Sequence, residues 1–206
     1  MEDSDAWKLY PQHHKWFNKL YIAELEGYNC GPSGVAPTTS NEYIIKPIYN
    51  LSGMGVGARV EYIEAGDYSK VEPGYFWCDY LEGNHYSVTY YWDSYWKVLH
   101  TYQGFNDKRC LTKFHKWLKV DIEIPTPSYL ACLSDVPIIN VEYKGTNPFE
   151  VHLRGTPDPQ ASEIIPVWQS NIDLIHSYTS QGYTFIESFD DANGMLIDSR
   201  LGFMFK

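Results

Sequence analysis

A chain of 206 residues, 44% of them apolar, has material for one substantial domain or two small lobes and needs no disulfide or metal staple to fold. Its formal charge of −10 argues against gripping nucleic acid through phosphates, which takes a basic surface. No segment approaches the ~18 uninterrupted apolar residues of a membrane span, and residues 1–16 lack the basic start and apolar stretch of a signal peptide, so the chain reads as cytoplasmic with neither nucleic acid nor membrane as partner.

In chain order, the first expected element is a helix over 14–26, with Trp16, Leu20 and Ala23 on one face and Gly27 placed to stop it. Residues 29–37 are dense in breakers and read as a loop. A short β-rich run covers 42–47, a flexible glycine-rich loop 51–57, and a second strand 58–64. Residues 74–81 read as a third strand that turns at Glu82-Gly83-Asn84 and pairs back through a fourth, 85–92. Further strands are expected near 96–102, 137–143 and 149–153, and helices over 128–133 and 163–179, the latter stopped by Gly182. There is no repeat and no long linker. The pattern predicts one α+β domain over 1–206 dominated by antiparallel hairpins, with about 40–95 forming a glycine-loop subdomain inserted in the remainder.

Two compositional features bear on chemistry. The four cysteines, Cys30, Cys78, Cys110 and Cys132, form no CxxC pair and read as free buried thiols. The 18 Tyr and 7 Trp suit half-buried strands and stacking surfaces alike.

Three segments offer a site. Lys46 ends a strand beside the loop Ser52-Gly53-Met54-Gly55-Val56-Gly57, where a point charge and unobstructed backbone N–H groups would cradle a phosphate. The spacing matches neither a Walker loop nor a dinucleotide fingerprint, and a mobile hairpin tip is the commoner reading of such a turn taken alone. In Asp79-Tyr80-Leu81-Glu82-Gly83-Asn84-His85, a strand end could offer backbone groups to an adenine edge with Tyr80 and Leu81 as an apolar wall. Glu150, His152 and Arg154 share one strand face by the two-residue period, leaving Val151 and Leu153 for the core. Glu142 on a neighbouring strand would repel Glu150 unless a cation lay between them. An amphipathic hairpin with a solvated polar face is the other reading.

Taken in order, these segments resemble the ATP-grasp superfamily from about residue 14 to about 158. Tyr43-Ile-Ile-Lys46-Pro47 looks like its strand-borne lysine, Ser52 to Arg59 like its phosphate loop, and Phe76 to Val88 like its adenine hinge. Glu142 and Phe149-Glu-Val-His-Leu-Arg154 resemble its paired metal ligands and closing signature. Where the family has a glutamate and an asparagine this chain has His85 and His152, and histidine suits Mn²⁺ better than Mg²⁺.

The resemblance implies two small α+β lobes enclosing a nucleotide cleft, ATP with Mg²⁺ or Mn²⁺ as cofactors, and ligation of a small-molecule or peptide carboxylate through an acylphosphate. It further implies Lys19 (with Lys15 next in line), Lys46, Ser52, Gly53, Gly55, Gly57, Arg59, Asp79, Tyr80, Leu81 and His85 as nucleotide-binding residues. Glu142, Glu150 and His152 would hold metal, and Arg154 with Lys46 would act on the transferred phosphoryl group. A homodimer or partner subunit would complete the substrate surface. Two other readings stay open: a non-catalytic nucleotide-binding or interaction protein with a degenerate site, and a strand-rich module stacking sugars or single-stranded nucleic acid on its aromatic residues.

Overall fold

The computed structural model describes residues 1–107 and 109–206. The chain opens with α1 (Asp3–Leu9), a 3₁₀ stretch over Pro11–Phe17, and α2 (Lys19–Leu25). The single helix expected over 14–26 is thus broken at Asn18. The backbone there is extended, and the Asn18 side chain accepts from the Tyr21 N–H at 2.9 Å, capping α2 rather than continuing a helix through it.

β1 (Cys30–Pro32), β2 (Asn41–Pro47), β3 (Arg59–Ile63) and β4 (Tyr75–Asp79) form one antiparallel sheet, ordered β1-β4-β2-β3. β1 arises within the stretch expected to be loop. The second sheet comprises β5 (His85–Trp92), β6 (Trp96–Asn106), β7 (Phe114–Val120), β8 (Ile138–Lys144), β9 (Asn147–His152), β10 (Glu163–Trp168), β11 (Thr184–Asp190) and β12 (Arg200–Phe205). Its order is β11-β12-β10-β7-β6-β5-β8-β9, antiparallel throughout. A 3₁₀ turn at Ser128–Leu133 precedes β8, and α3 (Leu174–Thr179) joins β10 to β11.

The structure differs from expectation in how β5 pairs, in the bounds of the small sheet and over 163–179. β5 does not pair back on β4: residues 80–84 cross from one sheet to the other, and β5 pairs with β6 and β8. Val88 and Tyr90 are fully buried in the large-sheet core, and Asn84 O accepts from Gly145 N–H at 2.8 Å at the crossing. So β5, inside the 40–95 span, belongs to the large sheet, and the small sheet begins at Cys30. The long helix over 163–179 is instead β10, a 3₁₀ turn and a short α3. Ile164, Ile165 and Val167 are β-branched and buried, and β7 pairs only with Glu163 and Ile164, so Pro166 owes no hydrogen bond on that side. Among the cysteines, all free, only Cys78 is buried.

The strand period positions the site. Val88, Val141, Tyr143 and Val151 point back into a core completed by Trp16, Phe17, Ile22, Leu130 and Leu133, where Tyr90 OH donates to Ile124 O at 2.7 Å. Their neighbours Ser87, Asn140, Glu142, Glu150 and His152 face the other way, into the space between the sheets. No helix among the described residues is long and apolar enough to cross a membrane.

Candidate nucleotide and metal site

The two sheets face each other across one cleft of about 270 Å³. From the small sheet, Ile44 and Lys46 of β2 look into it, as do residues 52–55 of the glycine loop. Lys46 is 7% exposed and its ammonium lies 5.1 Å from the Phe149 ring and 5.5 Å from the Phe76 ring. Among the described residues no carboxylate pairs with it. Burial pushes its pKa down and the neighbouring Lys19 adds to this, against the pull of Cys78, Glu150 and Glu142.

Opposite Lys46, paired strands β8 and β9 bring Glu142 and Glu150 into direct register. One oxygen from each and one ring nitrogen of His152 lie within 4.8 Å of one another. Two hard oxygens and an imidazole nitrogen form a donor set that fits a divalent cation. Lys19, from α2, sits 2.6 Å from Glu150 Oε1. Burial alone would push the Glu142 carboxyl up, but His85, His152 and Lys19 hold it well below the usual range. Burial likewise opposes the charge on His152, yet Asp3 and Glu150 raise its pKa.

His85 reaches the same cluster from β5. Its ring is edge-on to Phe114, Trp117 and Phe149, with centroids 4.8, 5.4 and 5.4 Å away. Its Nε2 lies 3.2 Å from Glu142 Oε2, out of line for a hydrogen bond, and finds no other partner among the described residues. Phe114 and Trp117 crowd in here because Gly104 lies beneath them: a Cβ on it would meet both rings at 2.7 Å. At the hinge, Asp79 is held by Asn29, whose N–H donates to its carboxylate at 2.9 Å, while Tyr80 and Leu81 border the cleft just beyond β4.

Thus Lys19, Lys46, Ser52, Gly53, Gly55, Asp79, Tyr80, Leu81, His85, Glu142, Glu150, His152 and Arg154 all line one cleft. Two expected residues do not. Arg59 pairs opposite Ile45, whose face is turned away from the one that carries Lys46, and its guanidinium is engaged by Glu72 at 2.7 Å. Gly57 packs against Tyr75 and Pro47. Lys15 also lies elsewhere, its ammonium over the Trp16 and Tyr21 rings, so of the two helix lysines Lys19 is the one in the cleft.

The glycine loop is seated rather than free. Ser52 Oγ accepts from Asn193 Nδ2 at 3.1 Å, Met54 Sδ lies 3.5 Å from Arg200 Nη1, and Gly55 abuts the Leu111 carbonyl. Sequence reasoning missed Asp3, Lys144, Asp158 and Arg200, all on the cleft wall. Lys144 was within reach, since it shares strand parity with Glu142. Asp158 and Arg200 carried no local signal. Burial pushes the Asp158 carboxyl up, against the pull of Arg200 and Arg154.

No protein-family model and no curated protein sequence matches the chain. Among solved structures it is similar to N5-carboxyaminoimidazole synthetase from Staphylococcus aureus complexed with ADP, at TM-score 0.54 and 10% identity over 92% of this chain and 66% of that one. It is similar also to an N5-carboxyaminoimidazole ribonucleotide synthetase in its ADP complex, at TM-score 0.53 and 12% identity over 93% of this chain and 67% of that one. A weaker likeness, TM-score 0.38 and 15% identity over 68% of this chain, is to an ATP-grasp superfamily protein from Archaeoglobus fulgidus, of which 46% is covered. The chain spans about two thirds of the length of the two synthetases.

Proposed function

We propose that this chain, which has the ATP-grasp fold, binds ATP in the cleft between its sheets and acts in the cytoplasm as an ATP-dependent ligase of a small-molecule or peptide carboxylate. The observation that carries this is Lys46. A nearly buried ammonium with no carboxylate partner among the described residues is costly unless a ligand supplies the negative charge. It faces a carboxylate–imidazole cluster whose donor set fits a divalent cation, so a metal–nucleotide complements both halves of the cleft.

In this reading the apolar wall of Tyr80, Leu81 and Phe149 takes the base, and the loop amides of residues 52–55 face the phosphates. Lys46 and Lys19 neutralise phosphate oxygens. A divalent cation held by Glu142, Glu150 and His152 would supply further charge neutralisation at the phosphates. The substrate carboxylate attacks the γ-phosphorus, the bond to the bridging oxygen breaks, and ADP leaves. An amine then displaces phosphate from the acylphosphate. Arg154 stabilises charge on the phosphoryl oxygens, and the whole is positioning plus electrostatics.

Two ion pairs favour the non-catalytic alternative: Lys19 is already paired with Glu150 at 2.6 Å, and Arg154 with Asp3. Calorimetric titration of ATP with Mg²⁺ or Mn²⁺, followed by phosphate release against a panel of amino acids and peptides, separates the two. Binding with substrate-dependent release supports the ligase, binding without release on any acceptor supports the alternative, and no binding refutes both.

A further inference from the structure

Asp3, at the first turn of α1, lies 149 positions from His152 in sequence and against it in space. It is 3% exposed. Its Oδ2 lies 2.9 Å from His152 Nδ1 and accepts from Arg154 Nη2 at 3.0 Å, and its Oδ1 is 2.8 Å from Arg154 Nε. The opposite edge of the imidazole looks into the cleft: His152 Nε2 lies 3.6 Å from Glu150 Oε1 and 3.9 Å from Glu142 Oε1. The turn bearing Asp3 is itself anchored. Ala6 is fully buried in the core, and Trp7 stacks on His14 at 3.5 Å.

A neutral imidazole that donates a hydrogen bond from Nδ1–H to a fixed carboxylate keeps its lone pair at Nε2. Such a carboxylate also fixes the ring orientation and raises the basicity of the ligand nitrogen. We infer that Asp3 is a positioning residue for the metal end of the cleft: it sets His152 in the Nδ1–H form, aims Nε2 at the point shared with Glu142 and Glu150, and fixes Arg154 beside it. The inference rests on the metal–nucleotide reading and deepens it. Both Asp3 oxygens are engaged by His152 and Arg154, so it acts through them, not as a ligand of its own.

The test uses the whole 206-residue chain and Mn²⁺ alone. Long-range proton–nitrogen correlation spectra of the metal-free wild type, taken where the His152 ring is neutral, report which nitrogen carries the proton. The expected result is Nδ1–H. Electron paramagnetic resonance of free Mn²⁺ then gives affinity for wild type, Asp3→Asn, His152→Asn and the double variant. Asp3→Asn should weaken Mn²⁺ binding by roughly 10- to 100-fold, the cost typical of losing such an outer partner. Because Asp3 acts through His152, it should cost far less in the His152→Asn background. A purely structural role would give the same loss in both backgrounds, and that result overturns the inference. So does an Nε2–H ring in a wild type that binds Mn²⁺, a measurement that needs no variant to fold. Absence of Mn²⁺ binding by wild type overturns the metal reading and the inference with it.

Discussion

Gly55 and Gly53 differ in one respect that a single experiment can exploit. Both have positive φ, +63° and +65°, where an alanine pays about 1 kcal/mol or slightly more for the left-handed conformation. A Cβ at Gly53 would meet nothing within 4 Å. At Gly55 it would stand 2.5 Å from the Leu111 carbonyl oxygen and 3.2 Å from its carbon, both backbone atoms that cannot swing aside. Relieving such an overlap costs a further ~1–3 kcal/mol and lifts the loop off the large sheet. Gly53→Ala should therefore weaken ATP binding by roughly fivefold, and Gly55→Ala by about 2–4 kcal/mol, or roughly 30- to 1,000-fold. Calorimetry with ATP and Mn²⁺ measures the affinities. Hydrogen exchange over residues 52–57 checks that the loop, not the fold, has changed. Equal losses for the two alanines, or none, would refute the idea that this seated loop is what holds the phosphates.

Lys46→Ala should cost ATP affinity about 1.5–3 kcal/mol with circular dichroism unchanged, whereas Arg59→Ala, on the opposite face, should leave affinity within twofold; calorimetry on both checks the assignment of faces. His152→Asn replaces a nitrogen donor with oxygen and should move the metal preference from Mn²⁺ toward Mg²⁺, read from nucleotide affinity in each metal; an unchanged preference removes His152 from the site. The metal-free fold should lose stability at both ends of the pH scale. Burial opposes the charge on Asp3, but His152 and Arg154 hold its carboxyl below the ordinary range, so its contribution is complete above about pH 4 and is lost as pH falls. Burial likewise opposes the charge on His152, yet Asp3 raises its pKa, so that contribution is complete below about pH 6.5 and is lost as pH rises through the raised value. Melting temperature against pH should show both limbs in wild type and flatter ones in Asp3→Asn; parallel profiles would contradict the pairing.

The parts of the site that sequence made visible are those set by local periodicity. Glu150 and His152 share a strand face because alternate residues of β9 must, and Val151 falls into the core for the same reason; Leu153 and Arg154, just past the strand end, keep the alternation, one buried in the core and the other on the cleft. Lys46 was placed by the strand end that carries it. What failed was information that no local window holds. Whether β5 returns to β4 or crosses to another sheet depends on which core can bury Val88 and Tyr90, and both choices look alike around Glu82-Gly83-Asn84. Arg59 was misplaced because its face depends on register with Ile45 across the loop. The run 163–179 mixed a β-branched segment with helix formers, and only pairing with β12 decides it as strand, as five paired positions from Ile164 to Trp168 show. Asp3 is the extreme case: a carboxylate in an acidic N-terminal stretch, given its place only by the fold.

The function proposed for this chain requires that its cleft take a metal–nucleotide. Titrating ATP into the wild-type protein by calorimetry, with Mn²⁺ and then in chelator, tests this most directly. The prediction is one saturable site whose affinity falls sharply without the metal and falls again in Lys46→Ala. Folded protein that gives no binding heat with ATP at millimolar concentration, or the same affinity with metal and with chelator, would contradict it.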